Sequence, residues 1–159
     1  MSRLDSFIRR ITAQRDILDH ISAEVAQIDG AVVELGLGNG RTYDHLRERL
    51  PGRRIIAFDR ALAAHRKSTP GPEDLVLGEI RETAAAMVGM RAALVHADIG
   101  TGYAEKDAMT LTWLPGLTAQ LLRSGGIAAS GLPLDHPELV PLVLPASVTE
   151  DRYFLYRRK

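Results

Sequence analysis

The chain has 159 residues, 45% of them hydrophobic and 25% charged, with 20 basic residues balanced by 20 acidic ones. That length fits one domain with a sizeable core, and balanced charge argues against a nonspecific binder of nucleic-acid backbones, which needs a net basic face. The lack of cysteine excludes disulfides, thiolate metal sites and a cysteine nucleophile.

The opening "MSRLDSFIRR" lacks the apolar centre of a signal peptide, and no later run approaches the length of a membrane span, so a cytoplasmic protein is the expectation. Residues 3–28 read as helix. Leu4, Phe7, Ile8 and Ile11, then Leu18, Ile21, Val25 and Ile28, recur at steps of three and four. Gln14 and Arg15 fall between the two sets, which fits one bent helix or two. "AVVEL" (31–35) is a β-branched apolar run and predicts a strand. Gly36, Gly38 and Gly40 follow it, and "TYDHLRERL" (42–50) predicts a helix stopped by Pro51–Gly52. "RRIIAFD" (53–59) predicts a second strand and "LAAHRKS" (62–68) a helix, closed by the loop signal "TPGPED".

"LVLG" (75–78) predicts a third strand, "IRETAAAMVG" (80–89) a helix and "AALVHAD" (92–98) a fourth strand. A long helix is expected over 106–124, kinked at Pro115–Gly116. "GGIAASG" (125–131) predicts a fifth strand. Four prolines then break the chain between 133 and 145. "ASVTE" and "RYFLYRR" predict a final hairpin turning at Glu150–Asp151. Strands alternating with helices imply βαβ units, hence an α/β fold with a parallel, doubly wound sheet and helices on both faces.

Such sheets bind ligands at the carboxyl ends of their strands, most often at the first strand-to-helix turn. Glycines there let the backbone turn sharply and approach a ligand closely. A dinucleotide site requires G-x-G-x-x-G. Counted from Gly36 the third glycine position holds Arg41, and counted from Gly38 it holds Tyr43. The spacing therefore disfavours a nicotinamide-dependent oxidoreductase. The five histidines, at 20, 45, 65, 96 and 136, form no paired ligand motif, so no metal site is expected.

The pattern E-x-G-x-G-x-G in "VVELGLGNGRTYDHL" resembles the first motif of the class I S-adenosylmethionine-dependent methyltransferases. The resemblance covers residues 30–131 best, and "MSRLDSFIRR" is similar to a small bacterial group of such enzymes. It implies a Rossmann-like sheet of seven strands in the order 3-2-1-4-5-7-6 with the last strand antiparallel. Residues 1–29 would form an added helical segment, 30–131 the cofactor-binding core and 132–159 a hairpin region of the same domain. The cofactor implied is S-adenosyl-L-methionine. Glu34, Gly36, Leu37, Gly38, Asn39 and Gly40 would wrap its methionine end. Asp59, followed by Arg60, would hold the ribose hydroxyls. Gly78, Glu79 and Ile80 would meet the adenine. His96 and Asp98 would stand near the reactive methyl, Asp98 also among the cofactor-binding residues, and these two are the only candidates for a catalytic role.

Each of these has a structural alternative. Glu34 could cap the following turn, and Asp59, Glu79 and Asp98 could cap or charge helix starts. His96 could be a hydrogen-bonded core histidine. Tyr43 and Arg41 could cover the cofactor or lie at the surface, and Trp113 reads as core or interface packing. No substrate-specificity insertion and no N-P-P-[YF] signature is present. The expected partner is a small-molecule acceptor, with neither nucleic acid nor membrane indicated. The rival from another class is a methyltransferase-like fold that binds cofactor or protein partners without catalysis. The amphipathic first helix offers either a homo-oligomer interface or a cover over the chain's own substrate pocket.

Overall fold

The computed structural model describes residues 1–159. Helix α1 (Arg3–Ala26) opens the chain with a capping box, in which Ser2 accepts from the Asp5 amide and the Asp5 carboxylate accepts from Ser2. Strand β1 (Val32–Leu35) leads through the glycines into α2 (Arg41–Arg49). Strands β2 (Ile55–Asp59) and β3 (Leu75–Leu77), helix α3 (Ile80–Ala85) and strand β4 (Ala92–Ala97) follow. Helices α4 (Ala104–Leu111) and α5 (Leu114–Leu121) precede β5 (Leu122–Ser130), β6 (Leu139–Pro141) and β7 (Phe154–Arg158). The sheet order is β3-β2-β1-β4-β5-β7-β6. Pairing is parallel from β3 to β5, and β7 runs antiparallel to both β5 and β6.

Strand alternation divides the core into two layers. Val32, Ile55, Ala57, Leu94, Ile127 and Leu155 pack against α1 and α2. Val33, Leu35, Ile56, Phe58, Val95 and Ala128 pack against α3 and α5. The same period of two puts Glu34 and His96 on the α1 side, and β1–β4 register makes them direct neighbours.

Several local expectations are corrected. Helix α1 is one continuous helix, and its buried residues begin only at Ala13, so its first turns overhang the sheet. "LAAHRKS" is not an α-helix: only Arg66–Ser68 forms a single 3-10 turn, with His65 Nδ1 accepting from the Lys67 amide at 3.2 Å. Pro70 disfavours helical backbone at the residue before it, and the segment packs its Ser68 against Gly40 instead of completing a helix. The expected kink at Pro115–Gly116 is a break at Thr112–Trp113, with Pro115 in the first turn of α5, where its missing N–H costs nothing. The closing hairpin pairs β6 with β7, and "ASVTE" is a turn rather than a strand.

Candidate functional site

The carboxyl ends of β1, β2 and β4 open into a cleft of about 1080 Å3. Gly36, Leu37, Gly38 and Asn39 line it from the first turn, Asp59 and Arg60 from the second, and Glu79 and Ile80 from the start of α3. Asp98 borders it after β4. Four of the expected residues, Glu34, Gly40, Gly78 and His96, do not line it.

The three glycines of the first turn serve different ends. A Cβ on Gly40 would lie 2.4 Å from the Ser68 carbonyl oxygen, and one on Gly36 would lie 2.9 Å from that of Asp98. Both are packing constraints. Gly38, at φ +53°, has nothing within 4 Å of its missing Cβ, so it is the glycine that presents bare backbone to the cleft. Its amide donates to Asp59 Oδ2 at 2.7 Å, while Asp59 Oδ1 accepts from the Arg60 amide at 2.7 Å. No helix follows β2, so Asp59 is not a helix cap. Glu79 occupies the N-cap position of α3 but makes no capping bond; it reaches Arg60 across the cleft rim at 3.2 Å.

Glu34 and His96 lie behind this surface with no solvent exposure. Glu34 accepts from the Thr42 hydroxyl and bonds His96 Nδ1 at 2.8 Å. His96 Nε2 bonds the Tyr153 hydroxyl at 2.5 Å, and Tyr153 is equally buried. Burial opposes a charged imidazole, but the charge and hydrogen bond of Glu34 outweigh it and raise the His96 pKa. Burial, with the charges of Asp98 and Glu34, pushes the Tyr153 phenol well above its ordinary value. With both ring nitrogens engaged, His96 is sealed from the cleft, and each Glu34 oxygen holds a partner inside the core. Asp98 caps no helix, since α4 starts only at Ala104; Arg10 Nη1 meets both its oxygens at 3.4 Å.

Sequence reasoning offers α1 as an oligomer interface or a cover over the pocket and names none of its side chains as lining the cleft. Phe7, Arg10, Ile11, Gln14, Arg15 and Leu18 line one side of the cleft at helical spacing. Gln14 and Arg15, which interrupt the apolar stripe, are the signal that this face meets a polar space rather than core. Trp113 packs against the α3–α5 layer and also borders the cleft. No sequence signal pointed to Tyr153, because its pairing depends on where β7 docks.

A parallel sheet reversed only at β7, with a glycine turn and an acid at the next strand end, defines a Rossmann-like nucleoside-binding fold of the class I methyltransferase type. The chain belongs to the S-adenosyl-L-methionine methyltransferase family, which it matches over residues 1–158. It is similar to the S-adenosyl-L-methionine methyl transferase from Silicibacter pomeroyi DSS-3, with 43% identity, TM-score 0.92, and coverage of 100% of this chain and 99% of that one. In fold alone it is similar to the S-adenosylhomocysteine-bound Podospora anserina methyltransferase PaMTH1, at 17% identity and TM-score 0.60 over 100% of this chain and 80% of that one. The same holds for the putative methyltransferase yhhF from Escherichia coli, at 13% identity and TM-score 0.65 over 93% and 86%. No curated protein matches the chain. The protein is thus an S-adenosylmethionine-dependent methyltransferase. No helix is long and apolar enough to cross a membrane.

Proposed function

We propose that the chain methylates a small-molecule acceptor held between α1 and α4, beside a cofactor seated over Gly38. The observation that carries this reading is the division of one cleft into two unlike ends. At one end stand open backbone at Gly38, the Asp59 carboxylate and the apolar Ile80. That set suits a nucleoside: a carboxylate for ribose hydroxyls, an apolar wall for a purine and Glu79 at the purine edge. Bound there, S-adenosylmethionine supplies a methyl group already activated by its positive sulfur. The other end is walled by Phe7 and Ile11 from α1 and by Met109 and Trp113 from the α4 side, with Asp98 between them. The cleft's volume of about 1080 Å3 leaves room for a small molecule there, with α1 along one side. Holding two reactants in line is the chief service such a site renders, and it supplies several kcal/mol or more.

The test is to incubate the purified protein and S-adenosylmethionine with a metabolite set and to measure released S-adenosylhomocysteine. Turnover confined to small acceptors, and weakened by Asp59→Ala, is the expected result. Release that requires a protein or nucleic-acid substrate would overturn the acceptor assignment.

A further inference from the structure

The cleft as a whole carries a charge bias that the chain lacks. The chain is neutral, yet the cleft is lined by Arg10, Arg15, Arg41, Arg60, Arg81 and Lys106 against only Asp59, Glu79 and Asp98. The acids are already engaged: Asp59 by two backbone amides, Glu79 by Arg60 and Asp98 by Arg10. Arg15 turns to Asp16 outside the cleft. Lys106 has no carboxylate partner and rests 5.1 Å from the Tyr103 ring centre. A second observation lies on α1. Gln14 is 5% exposed, borders the cleft, and its amide nitrogen has no hydrogen-bond acceptor. The Tyr153 hydroxyl is a near acceptor, close enough for a Gln14 hydrogen bond to lower the phenol's pKa, yet no well-formed bond links the two. A buried amide donor without a partner is costly unless a ligand oxygen supplies one.

We propose, resting on the reading above, that the acceptor is a small organic acid: its anionic oxygens take the Gln14 amide and the Lys106 ammonium, and its apolar body packs between Phe7, Ile11, Met109 and Trp113. The cofactor brings a fixed positive charge into a cleft that already has a surplus of cations, and an anion is the companion that relieves this repulsion. The bases point the same way. His96 is sealed and Asp98 is held by Arg10, which leaves His45, whose Nε2 bonds Asp19 at 2.8 Å, as the one histidine on the cleft. An acceptor already anionic at neutral pH offers a nucleophilic oxygen with no proton to remove. The shared chemistry, a carboxylate, also occurs on the amino-acid end of the cofactor, so the test separates the two sources.

Calorimetry on the protein saturated with S-adenosylhomocysteine compares benzoate, benzyl alcohol and benzylamine. Saturation itself is measured first; its failure would strike the cofactor reading rather than the acceptor class. Benzoate is expected to bind about tenfold or more tightly than the other two, the scale of a charge-assisted hydrogen bond. Lys106→Gln and Gln14→Leu should each erase most of that preference while leaving S-adenosylhomocysteine affinity unchanged. Lys106 is on the surface and Leu fills the Gln14 volume, so both variants should fold. Three results would overturn the proposal: equal or absent binding of the three probes, an acid preference that survives both changes, or a loss confined to S-adenosylhomocysteine affinity, which would place the donors on the cofactor's own carboxylate.

Discussion

Glu34 and Asp59 end neighbouring strands of one sheet, yet they live in different solvents. Glu34 lies in a row, Thr42–Glu34–His96–Tyr153, in which Glu34, His96 and Tyr153 are completely buried and each polar group answers another. Asp59 lies in the cleft, partly exposed, and is held only by backbone amides. A buried row whose groups satisfy one another has nothing left to offer a ligand. The cleft set has open lone pairs and open space. Both acids are expected from the sequence to serve the cofactor, and their surroundings differ: one is buried among partners, the other faces the cleft.

The sharpest way to break this contrast is to remove one member of the buried row. Glu34→Ala strands His96 and the Thr42 hydroxyl without partners, and deleting half of a buried ionic pair typically costs about 3–5 kcal/mol. We expect a large fall in denaturant midpoint, partly recovered when Glu34→Leu and His96→Leu are combined. A stable Glu34→Ala protein that had lost cofactor affinity would instead put Glu34 on the ligand. The pH dependence sharpens the same point. The folded pKa of His96 is raised above its ordinary 6.5. The pair's stabilisation is therefore complete below that value and is lost as pH rises through the folded pKa. His96→Gln should flatten the unfolding free energy between neutral and mildly alkaline pH, leaving acid denaturation by the surface carboxylates in place.

The cleft responds in affinity rather than stability. Asp59→Ala removes a carboxylate suited to both ribose hydroxyls, and losing charge-assisted hydrogen bonds costs about 1.5–3 kcal/mol. Cofactor affinity should fall roughly tenfold to a hundredfold, with Asp59→Asn losing less. A lowered melting temperature with unchanged affinity would mean that Asp59 only clips the Gly38 amide. Gly38→Ala comes next. Its Cβ meets no neighbour, so the cost is the positive φ, about 1–2 kcal/mol. Full cofactor affinity in a folded Gly38→Ala protein would show that the ligand does not cross this turn.

How far the sequence carries differs between the two regions for the same physical reason. Strand alternation and the glycine turn are local, so a parallel sheet and a ligand turn at Gly36 and Gly38 are legible from spacing, while the strand order and the place of Asp59 come with the family resemblance. The buried row is not. Glu34 and His96 are 62 residues apart and become neighbours only through β1–β4 register, and Tyr153 joins them only because β7 inserts antiparallel beside β5. The α1 side is half legible: Gln14 and Arg15 announce themselves by breaking a stripe, but what they face depends on where α1 docks. The false helix at 62–68 is a failure of another kind. Its composition suits a helix, while the proline that follows and the contact with Gly40 favour a single 3-10 turn.

The smallest expected effect tests the rim. The Arg60 and Glu79 side chains are 75% and 57% exposed, and an ion pair in that setting is worth about 0–1 kcal/mol. Arg60→Met should leave the melting temperature unchanged. If Glu79 accepts from the purine amino group, that is one hydrogen bond, about 0.5–1.5 kcal/mol net, or roughly two- to tenfold in affinity. A bare affinity loss of that size in Glu79→Leu proves little, since altered rim packing produces the same. The discriminating measurement compares S-adenosylhomocysteine with its inosine counterpart, in which a carbonyl replaces the amino group. Wild type should prefer the amino form, because the carbonyl oxygen faces a carboxylate that cannot donate to it. Glu79→Leu should lose the preference, and Arg60→Met should keep it. If wild type binds both equally, Glu79 serves only Arg60, and purine recognition rests on the apolar wall of Ile80 and on backbone groups.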